Sequence, residues 1–162
     1  MKIVVTSDTH MPKKAKQLPS NLVKDCKSAD LIIHAGDWMS MDVFRTFSSY
    51  AEVKGVYGNV DPDEVIKNFP SQQIVEVQGH RIGIVHGHGE KKTTEKRALA
   101  TFDGDEVDII IYGHSHIPMI RYFKKILLMN PGSPTDKRTL PHYSYGILEI
   151  GETVRAEIIL FK

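Results

Sequence analysis

The sequence has little of what would place it in a specialised class of protein. One cysteine, Cys26, among 162 residues excludes an internal disulfide framework and a thiolate-rich metal site. The formal net charge of +1 lacks the basic excess of a general nucleic-acid binder. The first apolar run, residues 3–5, is too short for a signal-peptide core, and no run approaches a membrane span. We therefore expect a cytoplasmic protein without a membrane or nucleic-acid partner.

Short runs rich in Ile and Val alternate with helical patterns, which indicates an α/β fold. A chain of 162 residues has the length of one domain, so we predict a single domain over residues 1–162. The order predicts two mixed β-sheets packed face to face and flanked by helices. Strands are expected at residues 2–6, 30–35, 53–57, 73–78, 81–86, 107–112, 117–123, 126–129, 145–150 and 154–160, and helices at about 19–28, after Ser40, and at 94–101.

Side chains able to bind metal ions follow five of the predicted strands, four times beside a glycine. They are Asp8, His10, Asp37, Asn59, His86, His114 and His116. In open α/β sheets, ligands bind beyond the carboxyl ends of the strands, and glycine permits the sharp turn needed there. Oxygen and imidazole ligands together suit Mn, Fe, Zn, Ni or Co, and seven ligands exceed the four of a single zinc ion. The sequence therefore predicts two transition-metal ions.

At two places in the chain, two predicted ligands are separated by a single residue. In an extended segment, Asp8 and His10 would project to the same side, as would His114 and His116. Each pair could then hold one ion or divide its members between two.

In order along the chain, these residues form the motifs D-x-H, G-D, G-N-x-D, a lone His and G-H-x-H. They stand as Asp8-Thr9-His10, Gly36-Asp37, Gly58-Asn59-Val60-Asp61, His86 and Gly113-His114-Ser115-His116. This combination resembles the signature of the calcineurin-like metallophosphoesterases from residue 3 to about residue 134, where Asn130-Pro131-Gly132-Ser133 ends it. The short length is similar to that of the small YfcE-like phosphodiesterase branch.

The resemblance implies an αββα sandwich and a dinuclear phosphodiesterase in which water or hydroxide attacks phosphorus. Asp8, His10 and His116 would hold one ion, and Asn59, His86 and His114 the other. Asp37 would bridge the two ions. Catalysis would then depend on Asp37, Asn59 and His114 through activated water and bound phosphate. Mn is the first expectation for the metal and a small phosphodiester for the substrate, with a homo-oligomer left open.

One position departs from the family pattern. Larger members often carry His where this chain has Val60, and that His is implied to bind phosphate or protonate the leaving oxygen. Valine does neither, so no side-chain general acid is identified. The departure keeps open a second hypothesis, in which the chain is a protein-interaction scaffold like the retromer subunit that shares this fold.

Several other residues could be either structural or functional. His34, inside an apolar strand, is expected to be a hydrogen-bonded core residue, whereas His80 and His142 lie outside the motifs. His88 could reach substrate or occupy a loop, and Trp38 could line the pocket or fill the core. The basic cluster Lys91, Lys92, Lys96 and Arg97 is either solvated surface or a means of steering an anionic substrate.

Overall fold

The computed structural model describes residues 1–162. The helices are α1 Ser20–Cys26, α2 Met41–Ser48, α3 Asp63–Asn68 and α4 Thr94–Thr101. The strands are β1 Lys2–Thr6, β2 Leu31–His34, β3 Glu52–Gly55, β4 Gln72–Val77, β5 His80–Val85, β6 Ile109–Tyr112, β7 Met119–Phe123, β8 Ile126–Asn130, β9 Tyr143–Ile150 and β10 Val154–Phe161. No helix is long and apolar enough to cross a bilayer.

The strands form two sheets of five, in the orders β10-β9-β1-β2-β3 and β4-β5-β6-β8-β7. The segments β1-β2-β3 and β5-β6-β8 are parallel, and the other pairings are antiparallel. Both sheets are therefore mixed, and the predicted architecture of two mixed sheets with flanking helices is confirmed.

The first strand shows why its apolar run is continuous rather than alternating. Ile3 and Val5 belong to a cluster of 15 buried residues between the two sheets. Val4 belongs to a second cluster, of 11 buried residues, that also contains Leu22 of α1 and Phe47 of α2. Both faces of the strand are buried, so the three central side chains, residues 3–5, are all apolar.

Helix α2 begins as the sequence predicts, and α3 is an element that the sequence analysis missed. Ser40 caps α2 because its side chain accepts a hydrogen bond from the Asp42 N–H at 3.1 Å. Helix α3 has six residues, starts directly after Pro62 and buries only Val65. So short a helix with one buried position carries no helical periodicity for a sequence to reveal.

The parallel strands of both sheets end at one edge of the sandwich. The Asp8 N–H after β1 donates to the Gly36 carbonyl after β2 at 2.9 Å, and the Gly113 N–H after β6 donates to the His86 carbonyl at 3.2 Å. The two sheets meet there, since the His114 N–H donates to Asp8 Oδ2 at 2.9 Å. This edge carries all the loops in which metal ligands are predicted.

We predict that Ile111→Ala lowers the free energy of unfolding by about 3–4 kcal/mol, because it leaves a cavity in the fully buried layer between the sheets. The matched control is Ile158→Ala, since Ile158 packs against the same layer but is only partly buried. Urea denaturation should give a clearly smaller loss for the control. Equal losses would contradict the assignment of this layer as the main core.

Candidate metal centre

The loops at the shared edge have an unusual backbone conformation. Five predicted ligands have φ in the left-handed region: Asp8 at 55°, His10 at 45°, Asp37 at 60°, His114 at 66° and His116 at 59°. Residues other than glycine rarely adopt this region, and such strain concentrates at functional sites. The expectation of extended segments for the two spaced pairs is therefore wrong. The turns, and not a strand pleat, direct these side chains inward.

Asp8, His10 and His116 form one group whose ligand atoms all lie within 4.8 Å of one another. Asp8 Oδ1 lies 3.3 Å from His116 Nε2 and 3.8 Å from His10 Nε2. The two Nε2 atoms are 3.3 Å apart. One carboxylate oxygen and two ring nitrogens thus face a common point.

Asp37, His86 and His114 form the second group. Asp37 Oδ2 lies 3.2 Å from His86 Nε2, and it is also 3.6 Å from His10 Nε2 in the first group. Asn59 joins through its Oδ1, 3.1 Å from His114 Nδ1. All seven predicted ligands therefore come together, with Asp37 between the groups. Asp8 and His10 belong to the same group, whereas His116 belongs to the first group and His114 to the second.

Two of the imidazoles are oriented by backbone carbonyls. The His86 ring donates from Nδ1 to the Ala35 carbonyl at 2.7 Å, and the His116 ring donates from Nδ1 to the Asp136 carbonyl at 2.6 Å. A carbonyl oxygen has no proton to give, so each Nδ1 is the donor. In the neutral ring, Nε2 then offers a lone pair towards the carboxylates, the arrangement typical of metal-binding histidines.

The hydrogen bonding of the site leaves two buried atoms without a partner. Asp8 Oδ2 accepts from Ser7 Oγ at 2.7 Å and from the His114 N–H, whereas Asp8 Oδ1 accepts from nothing. His86 Nε2 is likewise buried and unpartnered. Burial of an unpaired carboxylate oxygen is unfavourable by several kcal/mol unless a cation compensates it. Both atoms face the grouped ligands, so the residues fit divalent metal ions.

Charge within the site favours a cation at the same places. Burial alone would raise the pKa of Asp8, but the neighbouring imidazoles of His10 and His116 hold it well below its usual range. Burial alone would lower the pKa of His86, but the Asp37 carboxylate 3.2 Å from its Nε2 raises it to about 9. The site without metal therefore attracts protons, and a divalent ion supplies the same positive charge.

Two glycines are required by the close approach of the ligand side chains. A Cβ on Gly113 would meet Ser7 Oγ and lie 2.8 Å from Asp8 Oδ2. A Cβ on Gly58 would meet Asp37 Oδ1 and lie 2.6 Å from the Asp37 nitrogen. The glycines in the G-H and G-N motifs thus make space for the carboxylates of other loops.

Asp61 has a position that the sequence analysis did not assign. Its buried carboxylate accepts hydrogen bonds from three backbone N–H groups: Asp37 at 3.0 Å, Met39 at 2.7 Å and Gly58 at 2.8 Å. It thus joins the loop of Asp37 to the loop of Asn59. The signal was the acidic residue that closes G-N-x-D, in a motif already recognised for its Asn.

The segment from Asn130 to Asp136 holds two further ligand loops, those that follow β1 and β6. Ser133 Oγ donates to the Asp8 carbonyl at 2.8 Å, and Thr135 Oγ1 donates to the Thr9 carbonyl at 2.6 Å. Asn130 Nδ2 donates to the Gly113 carbonyl at 2.9 Å. The segment at which the family motif ends therefore lies behind the ligands and supports them through their backbone.

The polar residues outside the ligand set divide between core and rim. His34 is buried between Thr9 and the Gly36 N–H and stacks on Trp38, and burial lowers its pKa to about 3, so it is a neutral core residue as expected. Trp38 fills core and donates from Nε1 to the Val56 carbonyl at 2.8 Å. His88 lies at the exposed rim, with its ring centroid 5.6 Å from that of His86.

Three other positions lie farther from the ligands or at the rim. His80 starts β5 with a half-buried side chain, and His142 lies before β9. Val60 is 43% exposed and donates its backbone N–H to Asp37 Oδ1 at 3.2 Å.

In a comparison with protein families, the family model of the calcineurin-like phosphoesterase superfamily domain matches residues 1–153 of this chain. The chain belongs to this superfamily. It is 38% identical to a probable metallophosphoesterase of Methanothermobacter thermautotrophicus, over 98% of this chain and 92% of that protein. It is 27% identical to a phosphodiesterase of Methanocaldococcus jannaschii over 99% of each chain. This similarity confirms the predicted resemblance to the YfcE-like branch of the superfamily.

Among solved structures, Vps29 of Chaetomium thermophilum superposes with a TM-score of 0.81 over 99% of this chain and 98% of that one. At 19% identity this similarity concerns the fold alone. The metallophosphoesterase family implies divalent metal ions, and the two ligand groups of this chain are candidate sites for them.

We predict that Asp61→Ala weakens metal binding more than ten-fold and lowers the free energy of unfolding by about 2–4 kcal/mol, because it leaves three buried N–H groups unpaired. The matched control is Asp63→Ala, at an exposed position in the first turn of α3. Calorimetric titration with Mn²⁺ and urea denaturation measure the two effects. Near-normal Mn²⁺ affinity in a folded Asp61→Ala protein would remove Asp61 from this positioning role.

Proposed function

We propose that this chain is a dinuclear metal-dependent phosphodiesterase. The observation that carries the proposal is the pair of ligand groups with Asp37 between them, in which Asp8 Oδ1 and His86 Nε2 are buried without partners. Membership of a phosphoesterase superfamily supports the hydrolase assignment. The phosphodiesterase assignment is supported by similarity to the named phosphodiesterase of Methanocaldococcus jannaschii.

In this proposal each ligand group holds one ion. Asp8, His10 and His116 would hold the first ion, His86, His114 and Asn59 would hold the second, and Asp37 would be shared between them. We propose Mn as the native metal, with Fe, Zn, Ni and Co as the alternatives that this ligand chemistry accepts. Two such ions supply hydroxide from water near neutral pH and offset the negative charge of the phosphate during attack and departure.

The protein side chains define what the site does beyond metal binding. Asp37, as the shared ligand, offsets part of the repulsion between two cations. Asn59 is exposed beside His114 and is the neutral ligand nearest the opening. Val60 presents an apolar side chain at the rim, where it neither donates nor accepts a proton. The chain therefore provides no side-chain acid at the position where many relatives have His.

A second candidate is a protein-interaction module with weak or vestigial catalysis, supported by the close fold similarity to Vps29. The complete set of seven ligands favours the enzyme, because interaction alone does not need it. The discriminating experiment removes all metal, reloads the protein with Mn²⁺ and measures hydrolysis of bis(4-nitrophenyl) phosphate. Metal-dependent turnover supports the enzyme, and its absence in fully loaded protein supports the interaction module.

We predict that fully loaded protein contains about two transition-metal ions per chain and that Asp37→Ala reduces both metal content and activity more than any other single ligand substitution. The reason is that Asp37 lies within reach of both ligand groups. Elemental analysis and bis-aryl phosphodiester turnover are the measurements, with the exposed Asp42→Ala as control. One ion in the active wild type, or two ions with normal turnover in Asp37→Ala, would refute the dinuclear model.

We predict that turnover depends strongly on the pKa of the leaving group, so that activated aryl phosphodiesters react much faster than alkyl ones. The cause is the absence of an acid at Val60. Val60→His should improve poor leaving groups by up to ~10²-fold if its imidazole reaches the leaving oxygen. The decisive measurement is a plot of wild-type rate against leaving-group pKa, with chemistry rate-limiting. A flat plot would mean that another residue donates the proton, and His88 would be examined next.

A further inference from the structure

A groove runs along α4, starting at the loop that carries His88. One part is a cavity of about 450 Å³ between α4 and the β7–β8 hairpin, with Lys92, Glu95, Lys96 and Phe123 in its lining. A second cavity, of about 380 Å³, is lined by Lys92, Glu95 and Ser115 among others. The two cavities are neighbours, because Lys92 and Glu95 line both of them. Ser115 stands between His114 and His116, so the groove adjoins the candidate metal centre.

The end of the groove next to the metal centre is positively charged. Glu95 pairs with Arg121 across the groove, so these two charges offset each other. Lys92 and Lys96 are exposed and make no ion pair within the chain. The acidic residues Asp103 and Asp105 lie at the opposite end, past the last turn of α4. An anionic group therefore fits between the metal centre and the middle of α4.

The groove also exposes apolar surface. Ile117 is 57% exposed beside Ser115, and Phe123 is 40% exposed on the hairpin. Leu99 of α4 and Ile126 of β8 also line the groove. A ligand that combines a ring with a second negative charge would match this lining better than a small, uniformly polar molecule.

The loop at the head of the groove is held in a defined conformation. Arg97 donates from Nε to the Gly87 carbonyl at 2.7 Å and from Nη1 to the Lys91 carbonyl at 3.0 Å, and it also reaches the Lys92 carbonyl. Thr93 caps α4 by accepting from the Lys96 N–H at 3.3 Å. Arg97 is thus occupied in structure, whereas the ammonium groups of Lys92 and Lys96 are free for a ligand.

We propose that this groove is a substrate subsite, which binds the part of a phosphodiester beyond the scissile phosphate when that part carries a ring and a second anionic group, as in a dinucleotide. The proposal rests on the proposed function, because the metal centre supplies the reacting end of the groove. Lys92 and Lys96 bind the second anion, and Ile117 and Phe123 provide the apolar contacts.

The test compares three substrates with a common leaving group: bis(4-nitrophenyl) phosphate, thymidine 5′-(4-nitrophenyl phosphate), and the latter with an added 3′-phosphate. Each releases 4-nitrophenol, and the two thymidine substrates differ only in the 3′-phosphate, so the ratio of their rates reports on binding beyond the reacting phosphate. We expect Mn-loaded wild type to prefer the 3′-phosphorylated substrate. The double variant Lys92→Ala/Lys96→Ala should lower that preference about 3- to 10-fold, mainly through KM, as expected for two exposed charge contacts.

The matched control is Lys91→Ala/Lys125→Ala, which removes the same charge from exposed lysines that do not line the groove. Its preference should stay within about two-fold of wild type. Calorimetric binding of thymidine 3′,5′-bisphosphate to metal-loaded protein gives a readout independent of turnover, and only the groove variant should bind it more weakly.

The outcomes separate the two proposals. If wild type fails to hydrolyse the bis-aryl substrate, the proposed function fails, and calorimetry alone then decides whether the groove binds the bisphosphate. If wild type hydrolyses all three substrates without preference, the subsite is overturned and the proposed function stands. Equal losses of preference in the two double variants would also overturn it, because net charge would then explain the effect.

Discussion

Asp8 Oδ1 is buried at the carboxyl end of β1 and accepts no hydrogen bond. The two nearby donors, Ser7 Oγ and the His114 N–H, both donate to the other carboxylate oxygen, Oδ2. In an apolar interior this carboxylate oxygen would be unfavourable by several kcal/mol. Imidazole nitrogens of His10, His86 and His116 instead lie within 3.9 Å of it. These rings come from loops of both sheets, so the two halves of the sandwich must be aligned for the charge to be compensated. The need to place positive charge at this point ties the fold to the site.

The left-handed residues show how the remaining structure serves that need. Each such residue is unfavourable by about 1–3 kcal/mol, and five of them lie in a few short loops. Side chains from elsewhere hold those loops by their backbone groups: Asp61 beneath Asp37, Ser133 beneath Asp8, and Asn130 beneath Gly113. Buried hydrogen bonds of this kind contribute about 1 kcal/mol each, and more when a charge is involved. The strain is maintained because several independent contacts specify the same conformation.

The sequence predicts most of the fold because its strongest signals are long and repeated. Strand β1 matches its predicted bounds, because it is built on an apolar run, and helix α4 lies where a helix was expected, near residues 94–101. Helix α3 was missed because it buries one residue. The seven ligands could be listed from motifs, but the left-handed turns could not be predicted, since they arise from contacts with distant segments. The hydrogen bonds by which Asp61 holds the Asp37 loop could not be predicted for the same reason.

Position 60 shows that the metal ligands and the leaving-group chemistry are separable in this fold. The Val60 backbone N–H donates to Asp37 Oδ1, so the backbone here supports the central carboxylate. The Val60 side chain takes no part in that hydrogen bond and is 43% exposed. Any residue with the same backbone conformation can therefore preserve the hydrogen bond while its side chain changes what meets the substrate. Val60, in place of the histidine that the family resemblance leads one to expect in larger members, is therefore compatible with the ligand geometry seen here but offers no proton donor. If the chain is the phosphodiesterase proposed above, its metal centre would attack a phosphodiester while the rim at position 60 would restrict it to leaving groups that depart without a proton.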